Sequence, residues 1–207
     1  MSNSRPYQAF LFDMDGTVLN SKASAERVWG DWARRHGLDV AAFLPTMHGR
    51  RSTDTIRSSG VPGLDIDAEA RAITQAEIDD TAGTVEIAGA RAFLDALPAS
   101  RWTIVTSASR ALAEARLAAA GLPVPPAMVT AEDISAGKPD PEGYLLAARR
   151  LGVAPAGCLV FEDAEPGILA GKAAGADVLV IGAAVHDYTG LSAHIMADGA
   201  LILRGPQ

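Results

Sequence analysis

The chain has 207 residues, 48% of them hydrophobic, enough for one large domain, or a core with an insertion, around a sizeable interior. Its formal charge is -7 and its Lys and Arg residues are dispersed, which argues against nucleic-acid or anionic-membrane binding, since both depend on clustered cations. A single cysteine, Cys158, excludes an internal disulfide, and the absence of a leader pattern or a run of membrane-spanning length makes a cytoplasmic protein the expectation.

The first predicted element is the apolar strand Tyr7-Gln8-Ala9-Phe10-Leu11-Phe12, ending in Asp13-Met14-Asp15-Gly16-Thr17. On an extended chain, two carboxylates two residues apart project to one side. Gly16 then permits a sharp turn. Residues 21–36 follow with Ala25, Val28, Trp29 and Trp32 at helical spacing and Gly37 as a left-handed stop. Residues 38–47 predict a short helix limited by Pro45, with Val40, Phe43 and Leu44 on one side. His48-Gly49-Arg50-Arg51 reads as a loop, residues 52–59 as a helix stopped by Gly60, and Val61-Pro62-Gly63 as a turn. Asp67 is the expected cap of a helix running to about Asp80, with Ala70, Ile73 and Ile78 inward. Residues 20–83 therefore predict an all-helical domain inserted into a core made of 1–19 and 84–207. Hinge-like stretches at about 17–21 and 82–89 would let it move over that core.

From Gly89 onward, helices alternate with short apolar runs. The helices fall at 90–97, 110–120, 141–151 (capped by Asp140) and 166–174. The strands fall at 102–106, 127–130, 158–161 and 178–181, and a final helix and the strand Ala200-Leu201-Ile202-Leu203 close the chain. This alternation calls for an α/β fold, a parallel sheet with helices on both faces joined by right-handed crossovers. Cys158, inside an apolar run, is expected to be a buried, inert thiol.

Polar groups fall at the ends of four core strands, where open parallel sheets place ligands: Asp13 and Asp15, Thr106-Ser107, Lys138, and Glu162-Asp163. Each has an ordinary reading by itself: a solvated turn, a strand threonine, a loop lysine, a helix cap. Together they supply what phosphoryl transfer needs: a nucleophile, a hydroxyl and backbone N–H groups for phosphate oxygens, a cation, and carboxylates for a hard metal. His48, Arg50 and Arg51 have two readings, as contacts to a substrate or as an exposed basic loop. His36, His186 and His194 have no metal-ligand spacing.

FDMDGT (12–17), IVTSAS (104–109), GKPDP (137–141) and VFEDAEPG (160–167) resemble, in order and spacing, the four motifs of the haloacid dehalogenase-type phosphatase superfamily. Within it, His48-Gly49-Arg50-Arg51 and the stretch 161–175 are similar to the sugar- and polyol-phosphate phosphatases that act on 2-deoxyglucose 6-phosphate and glycerol phosphate. The resemblance implies a Rossmann-like core with a mobile helical cap and a phosphorylated small-molecule substrate. Asp13 would be the nucleophile and Asp15 the acid and base. Mg²⁺ would be held by Asp13, the Asp15 carbonyl, Asp163 and Glu162, the last directly or through water. Thr106, with Ser107 through its N–H, would bind phosphate, Lys138 would neutralise it, and His48, Gly49, Arg50 and Arg51 would face the substrate. Asp15 argues against the metal-free dehalogenases. The position of Lys22, the cap's lysine, argues against phosphonate hydrolases, which use a cap lysine for a Schiff base. A β-phosphoglucomutase-like enzyme stays open, although the mutase arginine falls opposite Ser52. A phosphorylation-switched receiver-like protein is the alternative of another class, and it would need neither Asp15 nor a cap. A monomer is expected.

Overall fold

The computed structural model describes residues 5–182 and 185–205. Its centre is a parallel sheet of β1 (Ala9–Phe12), β4 (Trp102–Ile104), β5 (Cys158–Glu162) and β6 (Asp177–Val180), in the order β4-β1-β5-β6. The helices α5 (Ala90–Asp95), α6 (Arg110–Ala119), α7 (Glu142–Arg150) and α8 (Glu165–Ala173) cover it. Alternation along β1 splits the interior. Phe10 and Phe12 join one cluster with Phe93 and Leu94 of α5 and Leu117 of α6, while Ala9 and Leu11 join another with Tyr144 of α7 and Ala170 of α8. Phe12 stacks on Phe161 with ring centroids 4.4 Å apart, which fixes adjacent strand ends directly beneath the acidic residues.

Residues 21–83 contain only helices and turns: α1 (Lys22–Arg35), α2 (Val40–Phe43), α3 (Ser52–Ser58) and α4 (Ile66–Asp79), with a 3₁₀ turn at Leu44–Thr46 where Pro45 removes a helical donor. They enclose their own cluster, in which Trp32 lies 5.7 Å from Trp29 and 5.4 Å from Phe43 between ring centroids. The chain leaves through β2 (Leu19–Asn20) and returns through β3 (Val85–Glu86), which pair antiparallel. The two hinge-like stretches thus lie side by side. Among the described residues, no helix is long and apolar enough to cross a membrane.

Three expectations are corrected. Asp65, not Asp67, caps α4, its carboxylate accepting from Ala68 N at 3.0 Å; Asp67 falls in the first turn instead, because the chain enters the helix two residues earlier. Residues 127–130 give one bridge, Val105 to Val129, instead of a full strand. Among the described residues no helix lies between β6 and the last strand. Instead β7 (Ser192–Ile195) pairs antiparallel with β8 (Leu201–Arg204) across a turn in which Asp198 accepts from Ala200 N at 3.0 Å. Asp198-Gly199 is a hairpin signal that overrides the helix preference of Ala193, Met196 and Ala197.

The 127–130 segment, short of ladder bonds, is anchored by side chains. Met128 O accepts from Arg110 at 3.1 Å and Arg150 at 2.7 Å, while Asp133 closes a capping box on Thr130 and receives Arg150 at 2.5 Å. The Arg150 bond, with the Thr130 bonds, lowers the Asp133 pKa from 3.8 to about 2. Its stabilisation is present above pH 3.8 and is lost as pH falls through about 2. Asp133→Ala should cost about 1–2 kcal/mol at neutral pH, after allowance for solvent screening. In urea denaturation at stepped pH, that deficit should shrink as pH drops below 4; a constant deficit would contradict the ionic origin.

Candidate active site

Parallel register brings the first two acids together. Phe12 pairs with Phe161, so Asp13 and Glu162, the next residues of adjacent strands, lie beside one another and carry the parity of Leu11 and Val160 toward α7. Lys138 reaches under both: its Nζ bonds Asp13 Oδ1, Glu162 Oε1 at 2.7 Å and Val105 O at 3.2 Å. The Tyr144 hydroxyl donates to Glu162 Oε1 at 2.8 Å, and Glu162 Oε2 accepts from the N–H groups of Asp163 and Ala164 at 3.1 and 3.3 Å. Gly167 leaves the room for this carboxylate, since a Cβ there would lie 1.6 Å from Glu162 Oε1.

Electrostatics here are unbalanced, with three carboxylates against one ammonium. Burial would pull Lys138 toward neutrality, but Asp13 and Glu162 outweigh it and raise its pKa. Burial, then Glu162, pushes the Asp13 carboxyl well up, and the same two causes raise Asp163 to about 6. Oxygens of Asp13, Glu162 and Asp163 lie within 4.8 Å of one another, an all-oxygen set suited to a hard divalent cation whose charge would offset the excess. The four bonds already accepted by Glu162 leave Asp13 and Asp163 the freer donors.

β1 ends at Phe12, so strand periodicity does not carry Asp15 to the site. A turn does: Gly16 has φ +86°, its N–H donates to Leu19 O at 2.7 Å, and a Cβ there would lie 2.0 Å from Asp163 Oδ2. Asp13 and Asp15 thus open onto one cavity of about 270 Å³, shared with Asp163, Thr106, Ser107, His48, Gly49 and Arg50. Ser107 Oγ donates to Gly49 O at 3.1 Å, joining the strand end to the helical segment's loop, and Thr106 Oγ1 accepts from Ala108 N at 3.1 Å. Burial, then Lys22, lowers the His48 pKa, against Glu26 and Asp15. Arg50 also donates to Ser58 Oγ at 3.3 Å. Arg51 lies outside this cavity, bound to Asp54 at 2.8 Å and to Ser135 O at 3.0 Å. Cys158 is buried, its thiol pushed up to about 11 by burial.

Two buried charges in this cavity escaped sequence reasoning. Arg116 of α6 donates to Asp15 Oδ1 at 3.1 Å and to Glu77 Oε1 of α4 at 2.8 Å. A signal was available. Glu77 continues the inward spacing of Ala70 and Ile73, and Arg116 that of Leu112, Ala113 and Leu117, so each is a charge on an otherwise apolar helix face.

A family model described as haloacid dehalogenase-like hydrolase matches residues 7–175. Hexitol phosphatase A of Escherichia coli strain K12 is 43% identical over 180 residues, covering 85% of this chain and 83% of that protein. The 2-deoxyglucose-6-phosphate phosphatase 2 of Saccharomyces cerevisiae is 36% identical over 191 residues, covering 80% and 76%. Among solved structures, a hydrolase from Pseudomonas syringae superposes with a TM-score of 0.75 at 26% identity, over 88% of both chains. With a matching family model over most of its length, the same parallel-sheet fold and phosphatase relatives across four-fifths or more of the sequence, the chain belongs to the haloacid dehalogenase-like hydrolases.

Proposed function

We propose that this protein is a Mg²⁺-dependent phosphomonoester hydrolase acting on a small sugar or polyol phosphate through an aspartyl-phosphate. The observation that carries this reading is the pairing, at one cavity, of a lysine-bound Asp13 with a second acid, Asp15, whose side-chain bonds go to Ser21 and Arg116 instead. Asp13 attacks phosphorus. Asp15 protonates the departing alcohol, then takes a proton from the water that hydrolyses the phosphoenzyme. Lys138 holds Asp13 and neutralises the phosphoryl group, while Thr106 and the Ser107 N–H bind its oxygens. Asp13, Asp163 and the Asp15 carbonyl would hold Mg²⁺, with Glu162 behind them through water. The ion, when bound, supplies positive charge to the phosphoryl oxygens.

Residues 20–83 act as a cap that closes on substrate, bringing His48, Gly49 and Arg50 against it and excluding bulk water. Arg51 instead ties the cap to the core, by its bonds to Asp54 within the cap and to Ser135 O of the core. The likeness to enzymes named for hexitol and 2-deoxyglucose phosphates supports the substrate class. The protein is taken as a cytoplasmic monomer without nucleic-acid or membrane partners.

The test is phosphate release with Mg²⁺ over sugar phosphates, polyol phosphates, nucleotides and phosphoglycolate, with a sugar 1-phosphate followed for isomerisation. Multiple turnover on a sugar or polyol phosphate is expected. It should stop on chelation and return with added Mg²⁺. Isomerisation would establish the mutase, phosphorylation without turnover the switch, and full activity after chelation would remove the metal from the reaction.

A further inference from the structure

Arg116 lies between two carboxylates from different parts of the molecule. It is 6% exposed and Glu77 4% exposed, and together with Asp15 they form a chain from α4 to the turn after β1. Ser21 Oγ donates to Asp15 Oδ1 at 2.5 Å, the same oxygen that accepts from Arg116. Both side-chain bonds to Asp15 therefore fall on Oδ1, and among the described residues none falls on Oδ2. Arg116 Nε is buried without a partner among those residues, so the guanidinium's orientation is set by its two carboxylates. A packing role explains this poorly, because apolar residues of similar volume often match or exceed the stability of a buried ion pair such as Arg116 with Glu77.

We infer that Arg116 is a positioning residue: with Ser21 it clamps Asp15 Oδ1, making Oδ2 the oxygen that meets the leaving group, and Glu77 holds Arg116 from the helical segment. Asp15 is then aimed only while that segment is docked. The inference rests on the reading of Asp15 as leaving-group acid. In that step an Asp13 oxygen bonds to phosphorus, the bond from phosphorus to the alcohol oxygen breaks with its electron pair going to that oxygen, and the oxygen takes the proton from Asp15 Oδ2. Aiming the proton matters for an alkoxide and little for a phenolate, which departs unprotonated.

The experiment compares single-turnover leaving-group release from a hexitol 6-phosphate and from 4-nitrophenyl phosphate, at saturating Mg²⁺, in Glu77→Met, Arg116→Met and Arg116→Lys. The loss on the hexitol phosphate should exceed that on the aryl phosphate by about tenfold in the two Met variants, in kcat more than in KM, with partial recovery in Arg116→Lys. Equal losses on both substrates, or none, would overturn the inference. Arg116→Met leaves Glu77 buried without its counter-charge; if it does not fold, Glu77→Met, which removes a buried carboxylate and leaves Arg116 without its hold on α4, decides. Asp15→Asn separates the two readings. If it shows no bias against the hexitol phosphate, the acid role itself fails; if it alone shows the bias, only the positioning role fails.

Discussion

Asp13→Asn should lower phosphate release by at least about 10⁴-fold, because the nucleophile held by Lys138 is lost. The same substitution, measured without divalent metal, should leave the melting temperature unchanged or raise it. Asp13 is 6% exposed, and burial with Glu162 and Asp163 opposes its charge, with Lys138 as the counterweight. An amide of the same shape removes a charge from an overcrowded cluster and keeps an oxygen for Lys138. Near-native turnover would refute the assignment, and a large drop in melting temperature would mean that Asp13 is chiefly a structural ion-pair partner.

Lys138→Met should lose both activity and stability. Its ammonium satisfies Asp13, Glu162 and the Val105 carbonyl, all in the interior. Removing one partner of a buried ionic set strands the others and costs about 3–5 kcal/mol, which for a chain of this size lowers the melting temperature by roughly 10 °C. Mg²⁺ should restore part of the stability, since it brings positive charge to the same carboxylates, but little of the turnover. Lys138→Arg should not rescue, because a planar fork does not fit where a point charge meets three acceptors. Guanidinium unfolding with and without Mg²⁺ measures this, and a variant within about 1 kcal/mol of the parent would contradict the ledger of charges.

Much of the fold is legible in one dimension because its determinants are local. Alternating Phe10 and Phe12 against Ala9 and Leu11 specifies a strand buried on both faces, and helical spacing marks α1 and α6. Errors arose where two local signals competed. Around Asp198-Gly199 the hairpin turn outweighed helix-forming alanines, and at 127–130 an apolar run received one bridge because Arg110, Arg150 and Asp133 meet its polar groups instead. Asp15 lines the cavity beside Asp13, but the turn at Gly16, rather than the period of a strand, delivers it there.

The residue types and order of Asp13, Asp15, Thr106, Lys138 and Glu162-Asp163 are a property of the sequence alone, and so is the placement of Asp13, Thr106 and Glu162-Asp163 at or just after strand ends, since strand period acts over a few residues. The Arg116 bridge is different in kind. It joins Glu77, 39 residues away, to Asp15, 101 residues away, and exists only because α4 packs across α6. Each charge on its own helix reads as a misplaced polar residue on an apolar face. Only the tertiary structure, by burying both faces together beside Asp15, turns two local anomalies into one compensated chain of charges, because the energy of a buried charge depends on what lies across from it.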